Sequence, residues 1–204
     1  VAPFVVLVSG IPRAGKSSFA DAVEESELGL THVPLDRYIM AVPAGESFLG
    51  WVREPSCIDW PLLAEHMNVL FSGRPCYTPR PDWKKDGLRA CEGGAVEDGL
   101  GRRMSPSENG YVVAGTHSFS LSDVGRERVT VWVDTPDEVI ASRFEKRAVS
   151  GEESAGVLRA HLSDNDVPLR ALEEQAALAV NGTASHANQI AALELYLLRA
   201  GLIG

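Results

Sequence analysis

The stretch Gly10-Ile11-Pro12-Arg13-Ala14-Gly15-Lys16-Ser17 constrains this chain more than any other. It follows the apolar, β-branched run 4–8 (FVVLV). It precedes a stretch, 17–27, that carries Phe19, Ala20 and Val23 on one helical side and stops at Gly29. A buried strand, a glycine-bounded loop and a helix, in that order, are the context in which G-x-x-x-x-G-K-[ST] has a mechanism. The glycines let backbone amides turn inward toward anionic oxygens, and the helix start adds its positive dipole end. Lys16 is then placed to bridge the β- and γ-phosphates of a nucleotide, and the Ser17 hydroxyl to ligate Mg²⁺. Gly10, Ile11, Pro12, Arg13, Ala14, Gly15, Lys16, Ser17 and Ser18 are therefore the expected nucleotide-binding segment, with ATP and Mg²⁺ as its ligands.

The remaining sequence alternates short apolar runs with helical periodicity. Stretches 31–35, 111–114 and 129–133 read as further strands, and 179–180 as the start of a last short one. Pro34 cannot donate to a ladder, which places the second strand at an edge. Asp59 caps a helix with Pro61 in its first turn, and Leu62, Leu63, His66, Met67 and Leu70 follow at helical spacing to Gly73. Thr135-Pro136-Asp137-Glu138 reads as a capping-box start to a helix ending near 148. Stretches 158–162 and 168–178 read as helical, and 185–200 as an amphipathic closing helix whose apolar stripe suits the core or a dimer face.

Strands that alternate with helices imply parallel pairing through right-handed crossovers, hence a three-layer α/β/α domain. One such domain accommodates all 204 residues. The Pro-, Gly- and charge-rich stretch 74–109 is an excursion from it with short strands and not a second domain.

Composition narrows the function. Acids outnumber bases 28 to 19, for a net charge of −9, which disfavours nucleic-acid backbones and anionic membranes as partners. Apolar runs are far too short to span a bilayer, and no leader pattern opens the chain. Cys57, Cys76 and Cys91 form no Cys-x-x-Cys pair, so we expect three reduced thiols in a cytoplasmic protein, with no zinc site. Hydrophobic residues at 45% and charged residues at 23% exclude a disordered chain.

In doubly wound sheets, ligands bind beyond the carboxyl ends of the strands. The polar residues there are the 10–18 loop, Asp36–Tyr38, Gly115–Ser118 and Asp134. Asp36 can accept a proton from a substrate hydroxyl or hold a metal-bound water; a helix cap or an ion pair with Arg37 is the blander use of it. His117 either binds an acceptor or hydrogen-bonds the following turn. The helical stripe of the last helix leaves both a monomer and a homodimer open.

At this point the chain resembles the group that contains uridine kinases, phosphoribulokinases and pantothenate kinases. The resemblance rests on the phosphate loop, Asp36-Arg37-Tyr38 some twenty residues later, and Asp59-Trp60 opening a helix. It continues through 70–75 (LFSGRP), 79–83 (PRPDW), 111–115 and Val131–Asp134, and so spans about residues 4 to 150. It implies a P-loop fold with a five-stranded parallel sheet in the order 2-3-1-4-5, an acceptor-binding excursion over about 37–109 and a helical lid over about 143–165. It implies phosphate transfer from ATP to a small-molecule hydroxyl, with Asp36 as general base and a second Mg²⁺ ligand. Arg143 and Arg147, four apart on one helix face, fall near the family's basic lid. Tyr38, Arg53, Asp82, Trp83 and His117 fall on or near its acceptor pocket.

Three positions depart from the family pattern. Ala114 stands where the group carries a glutamate, Pro81 where it carries an aromatic, and Arg53 where uridine kinases tend to carry an acid. An arginine at that mouth suits a carboxylate-bearing acceptor. The alternatives are another P-loop metabolite kinase, of the gluconate, shikimate or antibiotic-modifying kind, and a non-catalytic nucleotide-binding regulator.

Overall fold

The computed structural model describes residues 2–46, 48–79, 101–122, 125–149 and 169–204, with the side chains of 48, 49 and 147–149 outside the description. The strands are β1 (Phe4–Ser9), β2 (Leu30–Pro34), β3 (Cys76–Tyr77), β4 (Arg103–Met104), β5 (Gly110–Ala114), β6 (Arg128–Asp134) and β7 (Leu178–Asn181). The helices are α1 (Lys16–Glu24), α2 (Phe48–Trp51), α3 (Trp60–Phe71), α4 (Asp137–Val149) and α5 (His186–Arg199).

Five strands form one wholly parallel sheet in the order β2-β5-β1-β6-β7, while β3 and β4 pair antiparallel as a separate ribbon. Counted without the ribbon, the sheet runs second, third, first, fourth, fifth; the ribbon's two strands are short ones within the 74–109 excursion. β2 is an edge strand, as Pro34 requires, and β1 lies at the centre with β5 and β6 on either side.

The apolar run of β1 is continuous because both faces of the sheet are covered. Phe4, Val6 and Val8 point into a core with Phe19, Val23, Val112, Val131, Leu193 and Leu197, beneath α1 and α5. Val5 and Leu7 point the other way, into a core with Tyr38, Leu63, Met67, Leu70, Tyr111 and Val113, beneath α3. A third cluster joins Ile11 of the loop to Trp132 of β6 and to Ile140 and Phe144 of α4. Each such side chain, fully buried, contributes about 1.5–3 kcal/mol relative to exposure.

Local signals account for the helix starts. Asp59 accepts from the Leu62 amide at 3.0 Å, and Ser185 caps α5 by accepting from Asn188. Two expectations need correction. In the stretch read as helical over 168–178, residues 169–170 are helical and Glu173–Gln175 form a 3₁₀ turn; from the Ala177 amide, which donates to the Thr130 carbonyl at 2.9 Å, the chain joins β6, and β7 pairs with it. The Thr135 hydroxyl does not cap α4 but donates to the Ala14 carbonyl at 2.8 Å. The expected helix at 158–162 and most of the lid lie outside the described residues. No helix among the described residues is long and apolar enough to cross a membrane.

Candidate active site

The loop between β1 and α1 turns on two glycines and one strained residue. Gly10 and Gly15 have φ of 154° and 106°, and a Cβ on Gly10 would lie 2.9 Å from the Val133 carbonyl oxygen. Arg13 holds φ at 72°, in the left-handed region that non-glycine residues rarely enter. Its guanidinium stacks over the Phe144 ring, 5.5 Å from the centroid. Gly15 delivers the chain into α1, whose first turn carries Lys16 buried and Ser17 and Ser18 exposed.

The Lys16 ammonium donates to the carbonyls of Gly10 (3.0 Å) and Ile11 (2.9 Å), folding back over its own loop. Burial brings it down to about 8; the Asp36 carboxylate opposes that shift and Arg13 adds to it. A polyanion in the loop favours the charged lysine and raises the value again. Nucleotide binding therefore takes up a proton around and above pH 8. We expect ADP affinity to fall by up to about tenfold per pH unit above that point. Calorimetry at about pH 8.5 in two buffers of different ionisation enthalpy measures the uptake, and identical heats would refute it.

Asp36 lies exposed in the 3₁₀ turn Leu35–Tyr38, directly beyond β2. Its charge is felt at Lys16, Cys57 and His117, which places these groups around one end of the sheet. Burial and the Asp36 charge push the Cys57 thiol up to about 12. His117, buried beyond β5, donates from Nε2 to the Val52 carbonyl at 2.9 Å, since that oxygen can only accept. Burial lowers its pKa; the Val52 bond opposes this and nearby Lys16 adds to it, so the ring is neutral at pH 7. It thereby ties the segment carrying Arg53 to the end of β5. Arg53 is half-buried, its amide bonded to the Gly50 carbonyl at 3.4 Å.

Other expected site residues fall elsewhere. Tyr38 does not face a ligand: it is 1% exposed, its hydroxyl meets His66 Nδ1 at 2.9 Å, and the two rings pack edge to face. A side chain so enclosed is core, so Tyr38 does not line an acceptor pocket as the resemblance implied. Ala114 is likewise buried, in the core beneath α1 with Val8 and Ala14. Asp134 is exposed at the end of β6. Asp82 and Trp83 lie outside the described residues, as does the side chain of Arg147.

Arg143 reaches the loop but not as a free lid cation. Its Nη1 donates to the carbonyls of Arg13 (3.0 Å) and Ala14 (2.9 Å), and its Nη2 to Gly182 (3.0 Å) in the turn after β7. Gly182 has no room for a side chain, because a Cβ would fall 1.8 Å from the Thr135 hydroxyl oxygen. Sequence reading missed this role of Thr135, and the glycine after the last strand was its one local sign.

No protein-family model and no curated protein matches the chain. Among solved structures it is similar to a protein assigned as a fructose transport system kinase from Silicibacter sp. TM1040. The identity is 19%, covering 88% of this chain and 90% of that one, with a TM-score of 0.58. The chain has the fold of the P-loop kinases. Two more structures with that fold are similar at lower identity. One is a possible uridine kinase from Bacillus stearothermophilus (14% identity, 89% and 90% coverage, TM-score 0.51). The other is a gluconokinase from Sinorhizobium meliloti 1021 (17%, 98% and 95%, 0.51). The P-loop kinase fold explains why the loop, Asp36 and His117 share one edge: they follow β1, β2 and β5, which are neighbours in the sheet.

Proposed function

We propose that the chain is an ATP-dependent kinase that transfers the γ-phosphate to a hydroxyl of a small molecule, with Asp36 as the base. One observation carries this reading: a buried ammonium, Lys16, stands at a helix start on a glycine loop, with the exposed Asp36 carboxylate near enough to act on its charge. The resemblance of the sequence and the kinase neighbours support it.

Lys16 leaves the carbonyls of Gly10 and Ile11 and pairs with the phosphate tail, while the amides of the loop and the first turn of α1 receive its oxygens. Ser17 and Asp36 are exposed hard oxygen donors that suit a magnesium ion, which when bound neutralises phosphate charge. Asp36 takes the proton of the acceptor hydroxyl as its oxygen bonds to the γ-phosphorus. The bond from that phosphorus to the bridging oxygen breaks, and ADP leaves. His117, neutral and fixed to Val52, presents a polar ring to the acceptor. Arg53 is assigned to a carboxylate or other anionic group on it. By resemblance, Asp82 and Trp83 contribute to the acceptor pocket and Arg147 to the lid. Nucleoside-like molecules, sugars and carboxylate-bearing metabolites are the candidate acceptors.

ADP release by the purified chain, measured across nucleosides, sugars and hydroxy acids, tests the reading. One acceptor class should raise release well above the acceptor-free rate. A flat response beside tight ADP binding would favour the regulator reading instead, which Ala114 supports by leaving no carboxylate at the end of β5.

A further inference from the structure

The geometry points to Arg143 as a positioning residue for the nucleotide's phosphates, acting through the backbone of the loop and not through contact with the transferring group. This rests on the nucleotide reading of the loop. The Ala14 carbonyl is held from two directions, by Arg143 Nη1 at 2.9 Å and by the Thr135 hydroxyl at 2.8 Å. No described peptide bond is cis. In a planar trans peptide the C=O and the following N–H point in opposite directions. Fixing the Ala14 oxygen toward α4 therefore aims the Gly15 amide away from α4, into the loop that receives the phosphates. The same guanidinium nitrogen holds the Arg13 oxygen at 3.0 Å, and the Ala14 amide points back to Ile11 O at 3.0 Å, closing the turn.

The strain at Arg13 needs such a hold. A non-glycine residue at φ 72° persists only where its surroundings over-determine it. Here α4 grips it twice: Arg143 binds its carbonyl, and Phe144 lies under its guanidinium. Through Nη2 and Gly182 the bracket extends to the turn after β7, where the Gly182 amide donates to the Asp134 carbonyl at 2.5 Å. Arg143 thus joins the ends of β6 and β7 to the phosphate loop. A guanidinium spent on three carbonyls is poorly placed to neutralise charge on a phosphoryl group.

The two roles predict different kinetics. A bracket serves ADP and ATP alike, whereas a lid arginine acts on the γ-phosphoryl group. For Arg143→Met we expect ADP affinity, measured by calorimetry, to weaken about tenfold or more, with KM for ATP rising in parallel and kcat nearly unchanged. Arg143→Lys should recover part of the loss. Thr135→Val, a milder change with the same target, should weaken ADP binding severalfold. The double variant should lose less than the product of the singles, because both groups hold one oxygen. An Arg143→Met protein that binds ADP within about twofold of the parent and loses kcat would overturn the inference in favour of a lid role. Should Arg143→Met not fold, unchanged ADP affinity in Thr135→Val would overturn it equally. A parent protein that binds no ADP removes the nucleotide reading itself, a result distinct from either.

Discussion

Replacing Lys16 by alanine should lower kcat/KM for ATP by about a thousandfold or more while leaving the protein at least as stable as the parent. The two halves of that result come from the same burial. The ammonium is 8% exposed and is the charge on the loop best placed to meet a polyphosphate, so its loss removes binding and transition-state stabilisation together. Its folded pKa of about 8 lies below the ordinary lysine value of 10.5. A lysine held below its unfolded value destabilises the fold at every pH beneath the folded pKa, and the penalty fades as pH rises toward the unfolded one. At pH 7 the penalty is present in full. Alanine removes it, at the cost of leaving the Gly10 and Ile11 carbonyls without this donor. Thermal melts beside steady-state rates check both halves, and a Lys16→Ala protein that uses ATP as the parent does would refute the site.

Asp36→Asn should cut acceptor-dependent turnover by about a hundredfold to ten-thousandfold, with ADP binding at pH 7 largely retained. Asparagine keeps the shape and one oxygen but cannot take a proton. The substitution also removes a charge that holds Lys16 up, so the lysine moves below its present value of about 8. The pH above which ADP affinity declines should then shift downward. Kinetics that survive the change untouched would remove Asp36 as base. An unmoved pH edge would separate it from the lysine.

The parts of the site that were legible in sequence are those built from neighbours along the chain. The 10–17 loop, the Asp59 cap with Pro61 behind it, and the edge position forced by Pro34 each follow from local backbone requirements. What stayed hidden depends on partners far away. Thr135 looks like a cap because its nearest acid-rich residues suit one, yet its hydroxyl finds Ala14, 121 positions away. Arg143 bonds carbonyls 129 and 130 positions back, and no periodicity announces that. Tyr38 follows Asp36 by two residues, a spacing equally suited to a pocket lining and to the core; the adjacent His66 on α3 decides for the core. The end of the 168–178 stretch has a helical pattern of apolar residues, but the open edge of β6 takes its backbone as a parallel partner from the Ala177 amide onward.

The alternation of β1 has a bearing on how such a chain changes over time. Among the described residues, the core beneath α1 and α5 draws nothing from positions 37–109, whereas the opposite core takes Tyr38, Cys57, Ile58, Leu63, Met67, Leu70 and Met104 from that stretch. On the proposed kinase reading, the helix of the phosphate loop and the acceptor stretch thus rest on opposite sides of a single ribbon of backbone. On that reading, drift on the acceptor side leaves the apolar support of the phosphate loop in place, and a graft of the 37–109 stretch must keep Arg102, whose guanidinium pairs with Asp21 and Glu24 of α1.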